Sequence, residues 1–470
     1  MSDSIVKSSR RLVISAAAGN SGKTLISLAI ISLLRSKGYA VQPFKKGPDY
    51  IDPKWLSAAA GKKCYNLDYY LFADKLKENF FNHIQNDDIA FIEGNHALYD
   101  SIDIEGFGST AHMAKIFNAP LILIVNCFKM SRSVAALING YQNFDSDLNL
   151  CGVILNNCGG KRHREKLINA VEHYCNIPVL GAIDRMNDNY LPGRYIGLET
   201  TMDQNIIAQK MEAIVKDIGP SLDMEKIREI SLNAPKLSET VRKKITKPSK
   251  LIIGVALDDA FNFYYNENLE ELERLGGNMV FFSPIKDKGL PEVDALYLGG
   301  GYPELFAKEL AENQSMKTEI KKNVEKYMPV YGECGGLIYL SNTVTVDSNT
   351  FEMVKVFGAD IGLTPKAQGR GYAEYETVND QPVSIDINFF WNIPDNIFFK
   401  GHEFHYSKVI NNLSFQHLYK VKRGSGIHNG FDGIVYKNCI GSYIHIHALS
   451  VAWWAQSFIE AALRYKEWKR

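Results

Sequence analysis

The segment from Arg11 to Thr24 constrains the fold more than any other. An apolar run, Leu12 to Ala16, reads as a buried strand, and Ala17-Ala18-Gly19-Asn20-Ser21-Gly22-Lys23-Thr24 leads from it into an amphipathic helix that ends near Gly38. A strand that opens through a glycine-bearing loop into a helix belongs to a parallel β/α sheet, with backbone N–H groups converging on phosphate oxygens at the helix start. Gly19 and Gly22 leave room for the backbone, with Asn20 and Ser21 between them; Lys23 supplies a point charge, and the Thr24 hydroxyl can ligate Mg²⁺. The first glycine of the usual eight-residue pattern is Ala17 here, but the strand before and the helix after are the context the pattern requires.

Similar apolar, β-rich runs recur at Ala40–Phe44, Ile89–Ile92, Pro120–Cys127, Cys151–Asn156 and Pro178–Ile183, with helical stretches between most of them. Alternation of this kind predicts a doubly wound α/β sheet. At 470 residues the chain exceeds one ordinary core. The pattern breaks at a polar stretch with Gly219-Pro220, Ala234-Pro235 and the basic run Arg242 to Lys250, so we expect a domain over 1–217, a helix-containing linker over 218–249 and a second domain over 250–470. The second series begins with Leu251–Ala256, a helix near Asn266 to Leu275, Met279–Phe282 and Ala295–Leu298; from about Thr343 to Ser442 hairpin-like strands replace helices.

Lys plus Arg equals Asp plus Glu at 53 each, so no polyelectrolyte partner such as nucleic acid is implied. The seven cysteines are scattered without a CxxC pair, which argues against a disulfide framework or a zinc site and fits a reducing cytoplasm. No run approaches the roughly 20 apolar residues of a membrane span, and the first residues carry no apolar leader core.

The second domain carries its own chemistry. Met328-Pro329-Val330-Tyr331 runs into Gly332-Glu333-Cys334-Gly335-Gly336 and then the helix-like Leu337 to Leu340, which puts Cys334 at a sharp strand-to-helix turn. Such a turn lifts the sulfur clear of the sheet, and the positive end of the following helix favours a thiolate. A buried structural cysteine is the ordinary alternative. A base candidate tips the balance: His445, in Ser442-Tyr443-Ile444-His445-Ile446-His447, follows an apolar strand. Gly299-Gly300-Gly301 offers unhindered N–H groups, so Gly300, Gly301 and Gly335 are the expected oxyanion donors. His402 and His405 are spaced by three, but without a helix or a third ligand they do not indicate a metal.

A phosphate loop needs carboxylates to complete a Mg²⁺ shell. Asp49 follows the second strand and Glu93 ends the third, at the strand ends where ligands gather. Asp52 and Asp100 are further candidates, Asp100 to orient an acceptor carboxyl group; a turn cap is the competing role for both.

Taken together, Gly19 to Thr24, Pro43 to Pro53, Asn66 to Asp68, Glu93-Gly94 with Leu98 to Asp100, Gly152 to Asn156, Leu298 to Glu304, Tyr331 to Gly336, Gly401 to Ser407 and Ser442 to His445 closely resemble the cobyrinate a,c-diamide synthase family, in its order and over nearly the whole length. The resemblance implies a first domain like dethiobiotin synthetase and a second of the class I glutamine amidotransferase type. It implies that ATP, with Mg²⁺, activates the c and then the a acetate of a cobyrinate-like tetrapyrrole as acyl phosphates, and that ammonia from L-glutamine displaces phosphate. It assigns Lys23 and Thr24 to ATP and Mg²⁺, Asp49 and Glu93 to metal and phosphate, and Tyr50, Asp52 and Asp100 to the acceptor side. Cys334 becomes the nucleophile and His445 its activator. Many amidotransferases have Glu two residues after that histidine; His447 stands there, so the third member of the site stays open. Nickel-sirohydrochlorin in the coenzyme F430 pathway, hydrogenobyrinate and siroheme are alternative acceptors for the same chemistry, and a homodimer is left open. The rival class is a partitioning or metal-insertion switch ATPase, whose second Lys five residues before the loop Lys is Ala18 here.

Overall fold

The computed structural model describes residues 3–8, 10–186, 190–191, 193–194, 197–198, 203–242, 246, 248, 251–378, 390–411 and 414–470. The chain divides into two compact units, Met1–Lys243 and Lys244–Arg470.

Among the described residues, the first unit is built on seven parallel strands: β1 (Arg11–Ala16), β2 (Val41–Lys46), β3 (Tyr65–Leu67), β4 (Ile89–Glu93), β5 (Leu121–Asn126), β6 (Leu150–Cys158) and β7 (Val179–Asp184), in the order β3-β2-β4-β1-β5-β6-β7. β1, β2 and β4 are buried at every position, as expected of a parallel sheet covered on both faces. The chain leaves β1 for β2 on one side and crosses back from β4 to β5 on the other, so a crevice opens at the carboxyl ends of β1 and β4. α1 (Lys23–Ser36) starts there.

The 218–249 stretch contributes a helix, Met224–Leu232, and a strand, Leu237–Arg242, to this same unit. The strand pairs antiparallel with Asp3–Ser8. The fully buried Arg11 guanidinium donates to the carbonyls of Ser8 (2.6 Å), Asn118 (3.1 Å) and Pro235. Burial alone lowers the Arg11 pKa, to about 10, so three carbonyl acceptors offset the cost of taking that charge out of water.

In the second unit nine strands form one mixed sheet: β8 (Leu251–Ala256), β9 (Gly277–Phe282), β10 (Ala295–Leu298), β11 (Val330–Glu333), β12 (Gly369–Thr377), β13 (Phe398–His405), β14 (Gln416–Arg423), β15 (Phe431–Tyr436) and β16 (Cys439–Ser442), ordered β9-β8-β10-β11-β16-β15-β14-β12-β13. The first five in that order are parallel and the rest antiparallel. Strand alternation sorts the side chains onto two faces: Leu296, Leu298 and Val330 on one, Ala295, Tyr297 and Tyr331 on the other. α2 (Ala452–Trp468) covers the second face, with the Trp454 ring 5.5 Å from Tyr297 and 5.4 Å from Tyr331. Each such buried aromatic contributes about 1.5–3 kcal/mol. No described helix is long and apolar enough to cross a membrane.

The helix after β11 lies against β10 so closely that a Cβ on Gly336 would sit 2.0 Å from the Leu298 carbonyl oxygen. Gly336→Ala is therefore expected to destabilise the second unit by about 1–3 kcal/mol, read as a lower urea midpoint by circular dichroism; an unchanged midpoint would refute the close packing.

Candidate active sites

The phosphate loop occupies the crevice of the first unit. Asn20 and Gly22 hold left-handed backbone, φ 56° and 86°, which curls the chain before α1. A Cβ on Gly22 would lie 2.4 Å from Asn156 Nδ2, so only glycine fits under that amide, which itself donates to the Ser21 carbonyl (2.9 Å). Tyr141 adds a hydrogen bond to the Ala17 carbonyl (2.5 Å). Lys23 Nζ donates to the His96 carbonyl (3.0 Å) across the loop mouth.

Beneath the loop lies a buried cluster of charge. Lys45 Nζ is 2.5 Å from Asp52 Oδ2, 2.6 Å from Glu93 Oε1 and 3.9 Å from Asp49 Oδ2. The Thr24 hydroxyl reaches Glu93 Oε1 at 3.3 Å and Asp52 Oδ2 at 3.4 Å. Burial disfavours every charge here, but the three carboxylates outweigh it at Lys45 and raise that ammonium's pKa. At Asp52 burial is likewise overcome by Lys45, which holds the carboxyl below its usual range, while at Glu93 burial wins and raises it. Asp49 is pushed up to about 7 by burial and then by the neighbouring Asp52 charge. Lys23 is lowered by burial and by Lys45.

The structure thus brings Thr24, Glu93 and Asp52 together. Asp49 is turned aside: its Oδ1 accepts from the Ile51 and Asp52 amides (2.8 and 3.1 Å), closing the turn before the next helix. Tyr50 is buried beside it. Asp100 is exposed at the crevice, where its Oδ2 accepts from the Ala97 amide (3.3 Å) in a turn. The Thr24 hydroxyl and the Glu93 and Asp52 carboxylates are hard oxygen ligands of the kind that suits a divalent cation with only part of its shell from protein, and Lys45 Nζ shares both carboxylates. No group of three or more His, Cys, Asp or Glu forms a metal cage among the described residues, and this includes His402 and His405. Lys45 and Lys46 were not singled out from the sequence. Their signal is two lysines ending a strand buried at every position; burial brings Lys46 to about 8, with Asp68 and Asp100 among the charges that act on it.

In the second unit, three adjacent parallel strands, β10, β11 and β16, deliver the Gly299–Gly301 run, Cys334 and His445 from their carboxyl ends. Cys334 has φ 49° and ψ −92°, an uncommon conformation for a residue with a Cβ, and directly precedes the helix Gly335–Leu340. That is the expected elbow. Its amide donates to the Ser442 carbonyl (2.7 Å), tying β11 to the strand that carries the histidine. Gly300 and Gly301 pack against Gly335, whose Cβ would lie 3.1 Å from the Gly301 nitrogen. His445 is buried, hydrogen-bonded to the Cys334 side chain, and its Nδ1 is 2.8 Å from Glu333 Oε1. Burial opposes its charge, yet Cys334 and Glu333 together push its pKa up to about 10. Glu333 was missed in the sequence, although a lone acid inside the otherwise apolar run before Cys334 was its visible mark.

Comparison with known proteins follows the same division. Residues 12–192 match the CobQ/CobB/MinD/ParA nucleotide binding domain family, and residues 252–453 match the CobB/CobQ-like glutamine amidotransferase domain family. The cobyrinate a,c-diamide synthase of Methanosarcina barkeri is 38% identical, over 97% of this chain and 97% of its own. The chain belongs to the cobyrinate a,c-diamide synthase family. Other members with that name include those of Caldanaerobacter subterraneus subsp. tengcongensis, 40% identical over 93% of this chain and 95% of its own, and Archaeoglobus fulgidus, 38% identical over 97% and 98%. Membership of this family agrees with the α/β architecture of both units and with the pairing of a nucleotide loop and a cysteine–histidine site on one chain.

Lys45 neutralises two carboxylates that it touches away from water. Lys45→Met should therefore cost about 3–5 kcal/mol, because it leaves buried acids unpaired, and adding Glu93→Gln should restore part of the loss. Equal stability of Lys45→Met and the wild type in urea unfolding would disprove the pairing.

Proposed function

We propose that this chain amidates the a and c acetate carboxylates of cobyrinate, using ATP and ammonia drawn from L-glutamine, in cobalamin biosynthesis. The observation that carries the reading is the coexistence of the Lys23/Thr24/Glu93/Asp52 crevice with the Cys334–His445 elbow in a chain similar over nearly its full length to cobyrinate a,c-diamide synthases. A switch ATPase would leave Cys334 and His445 without work.

In the second unit, the Cys334 thiol proton passes to His445 and the sulfur adds to the glutamine carboxamide carbon. Backbone N–H groups around Gly300, Gly301 and Gly335 are the proposed oxyanion donors. The imidazolium returns the proton as ammonia departs, and water then cleaves the thioester to glutamate.

In the first unit, Gly19 to Lys23 hold the nucleotide's phosphates, and Lys23 balances charge on the transferring group. Thr24, with Glu93 and Asp52, would hold Mg²⁺, which would supply positive charge to offset that of the phosphates. Asp49 supports that set by fixing Asp52. Asp100 and Tyr50 are assigned to the acceptor side, Asp100 to orient the carboxylate or the incoming ammonia. The acceptor carboxylate takes the γ-phosphoryl group, and ammonia then displaces phosphate to leave the amide. A cytoplasmic location and a homodimer remain part of the proposal, as do nickel-sirohydrochlorin, hydrogenobyrinate and siroheme as alternative acceptors.

The test is incubation with ATP, Mg²⁺ and glutamine against each of the four tetrapyrroles, with carboxyl-to-amide conversions counted by mass spectrometry. Two conversions on cobyrinate are expected; conversion of a sirohydrochlorin derivative alone would replace the substrate, and none on any, with ATP turnover intact, would refute the reading. Cys334→Ala should lose glutamine-dependent amidation and keep the ammonia-dependent reaction, whereas Lys23→Ala should lose both.

A pH dependence follows from His445. Its folded-state value is raised, so the imidazolium that protonates departing ammonia persists below about 10 and is lost as pH rises through that value. Glutamine hydrolysis should accordingly hold through pH 9 and fall near 10, and a fall already complete at pH 8 would rule out the ion pair.

A further inference from the structure

We propose that Glu333, the residue immediately before the nucleophile, is the positioning residue of the cysteine–histidine site and takes the place of the glutamate that amidotransferases commonly carry two residues beyond the histidine. This rests on the amidotransferase reading above.

The carboxylate is held from several directions. Oε1 lies 2.8 Å from His445 Nδ1, with the two side chains 1% and 2% exposed. Oε2 accepts at 3.4 Å from both the Tyr297 hydroxyl and the Ile446 amide. Glu333 ends β11, the strand between β10 and β16, and pairs in register with Ser442 of β16. A carboxylate beside Nδ1 selects the tautomer in which Nδ1–H donates, and that leaves Nε2 to take the Cys334 proton.

The imidazole has little freedom besides this. The His445 backbone is paired with His402 in both directions, N–H to carbonyl at 2.7 and 3.1 Å. A Cβ on Gly300 would fall 2.6 Å from His445 Cε1, so the ring is backed by the Gly300 main chain. The titratable and charged groups around it are Glu333 at the end of β11 and Cys334 just after it, Tyr297 on β10, and the buried His405 and His402 on β13, the ring centre of His402 being 6.4 Å away. His402 is itself brought down to about 3 by burial and by the His445 charge, so it stays neutral and does not compete.

The position two residues after His445 is committed elsewhere. His447 Nε2 lies 3.7 Å from Glu267 Oε2, and its ring packs on Tyr265 at 4.5 Å. A strand turn thus carries acid and nucleophile as consecutive residues. Their side chains diverge from the backbone, and His445 closes the gap between them.

During the reaction Glu333 keeps its charge. The thiol proton passes to His445 Nε2 before the S–C bond forms, and it leaves with ammonia as the C–N bond breaks; Glu333 stabilises the imidazolium in the interval without accepting the proton.

The test compares Glu333→Gln, Glu333→Asp and His447→Gln in the full chain, measuring glutaminase kcat and KM, ammonia-dependent amidation, and the pH dependence of Cys334 alkylation by iodoacetamide. Glu333→Gln should lower kcat by about 100-fold or more with KM changed less than about threefold, Glu333→Asp should recover part of it, and His447→Gln should leave kcat within about threefold. Alkylation near pH 7 should slow in Glu333→Gln and recover only at higher pH, while ammonia-dependent amidation, which reports an intact chain, stays at the wild-type rate. Retention of wild-type kcat and alkylation profile in Glu333→Gln would overturn the assignment, as would a loss confined to His447→Gln. If Glu333→Gln fails to fold, Glu333→Asp decides: a lowered kcat with alkylation slowed near pH 7, together with full kcat in His447→Gln, is the result expected, and wild-type kcat and alkylation in Glu333→Asp, or an alkylation profile shifted by His447→Gln instead, overturn it. A Glu333-dependent alkylation profile in a chain with no glutaminase activity would sink the functional reading and sustain the positioning role.

Discussion

Everything chemical in this protein hangs on the direction of parallel strands. Hydrogen bonding in a parallel sheet sets neighbouring strands in register and brings their carboxyl ends to one edge. In the first unit that edge collects the loop after β1 and Glu93 at the end of β4. In the second it collects the glycine run, Cys334 and His445 from three neighbours. Residues far apart in the chain meet there because the sheet has no other arrangement of those ends.

The two sites handle buried charge in opposite ways. The first places one lysine among three acids, so each is tolerated only through the others and the cluster is locked before anything binds. A cation or phosphate entering such a crevice meets groups already oriented, which lowers the reorganisation that binding requires. The second keeps its charges in a row, acid to imidazole to sulfur, with the mobile proton at one end only. Positional rigidity serves binding in the first case and proton traffic in the second.

Much of this was legible in the sequence, and the reasons for what was not are physical. Long apolar strands bounded by glycine declare themselves, and six strands of the first sheet were read nearly to their ends. Tyr65–Leu67 escaped because three residues with a central asparagine carry no period. The 218–249 segment looks like a linker by composition, yet long-range contacts that leave no local trace attach it, among them the pairing of Leu237–Arg242 with Asp3–Ser8 and the Arg11 bond to the Pro235 carbonyl. The loop residues and the cysteine–histidine pair could be named because their types are chemically narrow. Lys45 and Glu333 could not be, since a charged residue at the end of a strand ordinarily faces water, and only the packed sheets reveal that Lys45 meets Glu93, and Glu333 meets His445, inside. Asp49 and Asp52, three residues apart, could be told from each other only by which one the backbone of the turn consumed.

The left-handed bend at Cys334 carries a further implication. A side chain held at φ 49° and ψ −92° stores strain of about 1–3 kcal/mol, which the surrounding sheet must absorb. Selection for a sturdier protein would therefore press toward glycine at the one position where chemistry demands sulfur. Robustness and reactivity compete at a single codon, and the tight glycine packing of Gly335 and Gly336 around it is what lets the reactive choice persist.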